Sequence, residues 1–279
     1  MASQKHHAYV PGYKQEHIRP HAWRTAKNSA AYLLPKLQEM SSKKPDLQLL
    51  DCGAGPGTVS ASFAKLIPQG TVVATDLSEE IIIRAKDFAS AEGITNMRFQ
   101  AASIYELPFE DNSFDIVHAH QVLIHLDEPP AALKEMLRVC KPGGIVASRD
   151  FTGSDSYYPQ SDLIEASRKL SKAVGKASGR TENIGVRLVS LAMQAGVSRS
   201  NIQASMSSWC YSTPEERDMW GGSMRDRLRS GGMRKTALEQ NLGWTEKDMD
   251  DMANAWQEWI DAEDGVWGLM NGEVNITKP

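Results

Sequence analysis

Cysteine is scarce in this chain and does not cluster. Cys52, Cys140 and Cys210 are odd in number, far apart and in no CxxC pair, which argues against a disulfide framework and against a thiolate metal site. Long apolar runs are missing as well. No window approaches the ~18 consecutive apolar residues that a membrane span requires, and the opening residues Met-Ala-Ser-Gln-Lys-His-His carry no hydrophobic signal region. Nor is there an excess of positive charge. Thirty-one Lys and Arg against 35 Asp and Glu leave a net charge of −4, so no basic surface calls for nucleic acid or an anionic membrane. Fixed-period repeats and low-complexity segments are absent too. These absences set the expectation of a soluble, cytoplasmic protein with no nucleic-acid partner, no membrane insertion and no metal.

What is present fits one ordinary core, or one core with a cap: 279 residues, 41% hydrophobic and 24% charged. Residues 1–20 are polar and aromatic and read as an arm, and the apolar spacing from His21 to Met40 predicts helices, one of them kinked or ended at Pro35. Strand and helix patterns then alternate. Strands are expected over Asp46–Asp51, Val72–Asp76, Met97–Ala102, Phe114–Ala119 and Ile145–Phe151, with a helix over Thr58–Ile67 and another capped by Ser78. Pro129-Pro130 opens a further helix that Pro142-Gly143-Gly144 stops. Such alternation implies a parallel sheet with helices on both faces.

The second half is less regular. Helices are expected over 160–178 and over 182–195, the second with Thr181 as its cap. Asn201–Tyr211 alternates like a strand, Thr213-Pro214-Glu215-Glu216 is a capping box, and another helix begins at Thr245. Gly272–Thr277 alternates again and returns to the sheet, which makes 212–268 a helical insertion. The expected organisation is one domain over 1–279: an arm over 1–44, a core over 45–151, helices and a sixth strand over 152–211, the insertion, and a last strand over 269–279.

The most informative stretch is Leu49-Leu50-Asp51-Cys52-Gly53-Ala54-Gly55-Pro56-Gly57-Thr58, followed by Val72-Val73-Ala74-Thr75-Asp76. Glycines at alternate positions, just past a strand and before a helix, let the backbone approach a ligand closely at the carboxyl end of a parallel sheet. Asp76 ends the next strand about 20 residues later, where an acid accepts both hydroxyls of a ribose. The GxGxG rhythm differs from the GxGxxG of nicotinamide dehydrogenases, which disfavours that class.

Taken together, the motifs resemble those of class I S-adenosylmethionine-dependent methyltransferases, and within them the small-molecule group of ubiquinone/menaquinone-biosynthesis enzymes. The resemblance is close over 45–151. Asp51–Thr58 matches the glycine motif, Asp76 the ribose-binding acid, Ser103-Ile104-Tyr105-Glu106-Leu107-Pro108-Phe109 the adenine-side segment, and Phe114-Asp115-Ile116-Val117 the fourth strand. His125-Leu126-Asp127-Glu128-Pro129 and Leu137-Arg138-Val139-Cys140-Lys141-Pro142-Gly143-Gly144 complete the pattern. Arg24–Pro35 and His118–His125 look like a microbial and fungal subgroup. The resemblance implies an α/β, doubly wound, mostly parallel seven-stranded sheet with an N-terminal helical arm and a C-terminal helical insertion. It implies S-adenosyl-L-methionine as cofactor, held by Asp51, Gly53, Ala54, Gly55, Thr58, Asp76, Leu77, Ser103, Ile104, Tyr105, His120, Gln121 and Arg24. Ser103 departs from the Asp common there, and a neutral partner binds the adenine amino group less tightly than a carboxylate.

The implied reaction is in-line methyl transfer to a small, lipophilic or aromatic acceptor. His120 and His125 are the candidate catalytic bases, each with a structural hydrogen bond as the competing reading. The expected acceptor-binding residues are Tyr9, Tyr13, Trp23, Asp150, Trp209 and Trp220, with Arg24 near the cofactor's carboxylate. For Asp150 an ion pair with its neighbour Arg149 is the simpler account. Six of the seven tryptophans lie in the last 71 residues, as a cap over a flat acceptor or as glue between insertion and sheet. The Asn/Asp-Pro-Pro-aromatic motif of base-modifying enzymes does not occur at the fourth strand. A protein of this fold that binds the cofactor without transferring methyl, as a pericyclic catalyst or regulator, is the alternative. The expected partner is a small-molecule acceptor, and the assembly considered is a homodimer.

Overall fold

The computed structural model describes residues 21 and 23–279. Tyr9 and Tyr13 therefore lie outside the described residues. Seven strands form one sheet in the order β3-β2-β1-β4-β5-β7-β6. The strands are β1 (Gln48–Cys52), β2 (Thr71–Asp76), β3 (Met97–Ala101), β4 (Phe114–His120), β5 (Cys140–Tyr158), β6 (Ile202–Tyr211) and β7 (Val266–Thr277). The first five run parallel, and β7 inserts antiparallel between β5 and β6. The apolar runs of β1, β2 and β4 become strands because both faces of a central parallel strand are covered; all seven residues of β4 are buried.

The helices are α1 (Ala26–Ser29), α2 (Leu34–Lys43), α3 (Thr58–Leu66), α4 (Glu79–Ala91), α5 (Pro129–Val139), α6 (Asp162–Ala177), α7 (Ile184–Gln194), α8 (Pro214–Arg229), α9 (Gly232–Glu239) and α10 (Glu246–Asp261). Two cores follow from strand alternation. Leu50, Val117 and Val146 face Leu133 and Met136 of α5 and Leu188 and Leu191 of α7. On the opposite side Leu49, Val72, Ile116 and Ile145 meet Leu33, Leu37, Phe63 and Ile67. A third core, built on Trp256, Trp259 and Trp267, joins α6, α8, α9 and α10 to the extended ends of β5, β6 and β7.

Several expectations need correction. Pro35 neither kinks nor ends a helix: it occupies the first turn of α2, where its missing N–H costs nothing. Strands β5 and β7 are much longer than expected because they pair with each other as far as Tyr158 and Val266, beyond the parallel part of the sheet. The cap of α7 is Asn183, in a left-handed conformation at φ 58. Thr181 instead donates its N–H to the Ile124 carbonyl at 3.2 Å. Helix α9 had no counterpart in the sequence pattern: it starts at glycine, lacks a side-chain cap and buries only Met233 and Ala237. The other caps agree, with Ser78, Thr213 and Thr245 each accepting a bond from the first turn of its helix.

Candidate functional site

The carboxyl ends of β1, β2 and β4 meet at the glycine loop, and the site grows outward from there. Gly53, Gly55 and Gly57 all take positive φ, at +66, +55 and +80, which only glycine adopts without strain. A Cβ on Gly53 would fall 2.5 Å from Val122 Cγ2, whereas one on Gly55 would meet nothing within 4 Å. The loop therefore packs on one side and lies open on the other. Asp76 closes it: one carboxylate oxygen accepts the Gly55 N–H at 3.0 Å and the other the Ser78 N–H at 3.2 Å. Burial pushes its pKa up, so further hydroxyl donors at this carboxylate would relieve its desolvation. Ala54 donates its N–H to the Thr75 carbonyl at 2.8 Å.

Asp51 sits beneath the loop. Its carboxylate accepts the Ser60 hydroxyl and lies 2.8 Å from His118 Nδ1, with both side chains buried. Thr58, the first residue of α3, donates its hydroxyl to the His21 carbonyl at 2.9 Å, so His21 is tied to the start of that helix. Leu77, beside Asp76, is 56% exposed and puts an apolar side chain at the rim. Ser103 accepts the Tyr105 N–H at 3.3 Å, Ile104 is buried, and the Tyr105 hydroxyl accepts the Glu128 N–H at 3.0 Å.

The end of β4 supplies the next layer. His120 is 8% exposed and neither of its ring nitrogens has a hydrogen-bond partner. Burial, reinforced by Arg24 and Arg149, lowers its pKa well below the ordinary histidine value, which favours the neutral imidazole. Gln121 follows in the left-handed region at φ 56, a conformation uncommon outside glycine and found at functional turns. Its N–H donates to the Arg149 carbonyl at 2.8 Å and its amide to Asn271 at 2.7 Å. His125, in the turn Leu123–His125, is lowered to about 4, by burial and then by Arg180 and Arg24.

Trp209 organises the far side. It lies on β6 two residues from Tyr211, so strand alternation turns both rings to one face. The Arg149 guanidinium lies 4.3 Å from the Trp209 ring centroid and that of Arg24 5.0 Å, while the His120 ring approaches edge-on at 5.4 Å. Trp23 contacts both Trp209 at 6.0 Å and Tyr211 at 5.4 Å, and Trp220 stacks on Tyr211 at 5.1 Å. The Trp220 Nε1 and Ser223 Oγ atoms are buried without partners. The structure thus brings Trp23, Arg24, His120, Trp209 and Trp220 together as an aromatic and basic wall beside the loop.

Asp150 stands elsewhere, and its expected ion pair with Arg149 is not formed. Neighbours on a strand point to opposite faces. Arg149 pairs with Glu273 at 3.1 Å, while Asp150 accepts the Ile124 N–H at 3.2 Å and the Ser148 hydroxyl at 3.4 Å. Burial raises Asp150 to about 7. Tyr211 and Glu273 were not among the expected site residues, and Arg149 was expected only as the partner of Asp150. Alternation along Asn201–Tyr211 was enough to place Tyr211 beside Trp209, but nothing local announces the cross-strand partner of Arg149. Trp256 and Trp259 turned out to be glue, donating to the Ser167 hydroxyl at 2.9 Å and the Tyr158 carbonyl at 3.0 Å.

The fit to a nucleoside-type cofactor is chemical: an open glycine loop, a desolvated acid at the end of β2, and an apolar rim. Comparison with known proteins agrees. Residues 43–211 match the methyltransferase-domain family. An uncharacterised methyltransferase of Schizosaccharomyces pombe is 32% identical over 97% of this chain and 96% of its own length. The ubiquinone/menaquinone biosynthesis C-methyltransferase of Bdellovibrio bacteriovorus is 36% identical over 42% of this chain and 49% of its own length. Among solved structures, the YcgJ protein of Bacillus subtilis shares the fold with a TM-score of 0.57 at 17% identity, over 89% of this chain and 99% of that one. The chain belongs to the methyltransferase family, in its class I group. Nothing among these likenesses supports a homodimer. Among the described residues no helix is long and apolar enough to cross a membrane.

Proposed function

We propose that this protein binds S-adenosyl-L-methionine and transfers its methyl group to a small aromatic or lipophilic acceptor. The observation that carries the reading is the pairing of the open glycine loop with Asp76: Gly55 faces free space while its N–H is held by the acid that ends β2. Gly53, Ala54 and Gly55 would supply the close backbone surface, Asp76 would accept ribose hydroxyls, and Leu77, Ser103, Ile104 and Tyr105 would flank the base. Arg24 and Gln121 would meet the amino-acid end, and Asp51 and Thr58 would brace the loop from below and from α3. When bound, the cofactor supplies an electrophilic methyl on a positively charged sulfur.

The work left to the chain is orientation and exclusion of water. Trp23, Trp209, Tyr211 and Trp220 form walls suited to a flat acceptor. His120, neutral and buried beside Trp209, is the side chain placed to take or share an acceptor proton. His125, lowered by burial to about 4, lies in the turn after β4. Asp150 acts through that turn, whose backbone it holds.

Calorimetry with S-adenosylmethionine and S-adenosylhomocysteine tests the cofactor assignment. Binding of both, with methyl-labelled product formed from an aromatic acceptor, is the expected result. Binding without S-adenosylhomocysteine production across acceptors would favour a protein that holds the cofactor and transfers nothing.

A further inference from the structure

Beside Trp209 the hydrogen-bond donors outnumber the acceptors. Arg149 is 1% exposed, and its Nε and Nη2 atoms are occupied by Glu273 and Ser207. Its remaining nitrogen, Nη1, is buried and has no partner. His120 and Arg149 are register partners on the adjacent parallel strands β4 and β5, so their side chains leave the same face of the sheet next to each other. Both touch the ring of Trp209. The unpartnered guanidinium nitrogen carries only donors, while the neutral imidazole carries one donor and one acceptor, so donors remain in excess. A buried donor left unmatched costs free energy that an acceptor would recover.

Charge points the same way. The charged groups that act most strongly on His120 are basic: Arg24, Arg149, His118 and His21. Glu273 sits opposite Arg149 on β7, shared with the hydroxyls of Ser205 and Ser207. The rest of the wall is aromatic and carries no negative charge. A planar guanidinium in such a place suits an oxyanion.

We infer that the methyl acceptor is an aromatic oxyacid whose carboxylate or phenolate oxygen is received by Arg149 Nη1 and His120, with its ring among Trp209, Trp23, Tyr211 and Trp220. The inference rests on the methyl-transfer reading and narrows its acceptor to anionic molecules. An acceptor bound through its carboxylate arrives already ionised, which suits a histidine of weak basicity, whereas a phenol must still lose its proton on binding beside Arg149.

The test is calorimetry on the full chain saturated with S-adenosylhomocysteine, comparing 2-naphthoate with its neutral isostere 2-naphthamide. Naphthoate is expected to bind at least tenfold more tightly. Arg149→Met combined with Glu273→Leu, which removes both charges together, is expected to abolish that preference, with the larger loss falling on naphthoate. Should the double variant fail to fold, Arg149→Lys serves instead, with a partial loss of the preference. Equal affinities for the two ligands, tighter binding of the amide, or no binding of either would overturn the inference. Failure of S-adenosylhomocysteine to bind would instead remove the cofactor reading, and the naphthoate-to-naphthamide comparison on the free protein would still decide the charge preference.

Discussion

Arg149 and Glu273 stand directly opposite each other on the antiparallel strands β5 and β7 and pair at 3.1 Å, with side chains 1% and 4% exposed. Ser205 and Ser207, from the adjacent edge strand β6, donate their hydroxyls to the same carboxylate. One ion pair therefore joins three strands and places a guanidinium against Trp209. Buried pairs of this kind contribute little net stability over an apolar substitute, but breaking one strands a charge.

Glu273→Gln is accordingly expected to cost about 3–5 kcal/mol, because the guanidinium stays buried without its counter-charge. The double variant Arg149→Met with Glu273→Leu should cost clearly less than the sum of the two single changes. Urea unfolding measures both. A single variant as stable as the wild type would mean that the pair carries no buried charge.

Asp76→Ala should weaken binding of S-adenosylmethionine at least tenfold, a loss of about 1.4 kcal/mol or more. Two effects combine: the ribose acceptor disappears, and the Gly55 and Ser78 N–H groups lose their partner. Calorimetry returning an unchanged dissociation constant would remove Asp76 from the cofactor site.

The buried acid of β5 gives a pH dependence of definite sign. Asp150 is raised by burial to about 7 from the ordinary 3.8, so between those values the folded chain holds a proton that the unfolded chain has lost. Stability from this group is therefore present at acid pH and falls as pH rises towards 7. Asp150→Asn keeps an oxygen that can accept the Ile124 N–H and removes the titration. Relative to the wild type it should gain about 2–3 kcal/mol between pH 5 and pH 8. Denaturation midpoints at the two pH values that move in parallel would contradict this.

His120→Ala should lower turnover while changing cofactor affinity by less than threefold. With its pKa well below the usual value, wild-type turnover should show no histidine-like titration near pH 6.5. Turnover equal to that of the wild type would make His120 a packing residue.

Much of this architecture was legible in the sequence because its signals are local. The strands of the parallel core, the glycine loop and the caps at Ser78, Thr213 and Thr245 each depend on residues within a few positions of one another. The candidate site was read from the sequence where strand ends and the family pattern coincide, at Gly53, Asp76 and His120, which the structure places after or at the ends of β1, β2 and β4. It was obscure where geometry depends on pairing between distant segments. Arg149 read as the partner of its neighbour Asp150, yet alternation sends the two to opposite faces and the true partner lies 124 positions away. Asp51 likewise meets its register partner His118 on the adjacent strand β4, a contact that no spacing rule foretells. Helix α9 escaped notice because packing against its neighbours, rather than capping or amphipathic rhythm, holds it in place.

The most direct measurement is mass spectrometry of reactions containing the purified protein, S-adenosylmethionine and a panel of aromatic acids, phenols, amines and thiols. The account predicts S-adenosylhomocysteine together with an acceptor in which one methyl group has replaced one proton, with anionic aromatic acceptors leading the panel. Cofactor binding without any S-adenosylhomocysteine, whichever acceptor is supplied, would contradict it.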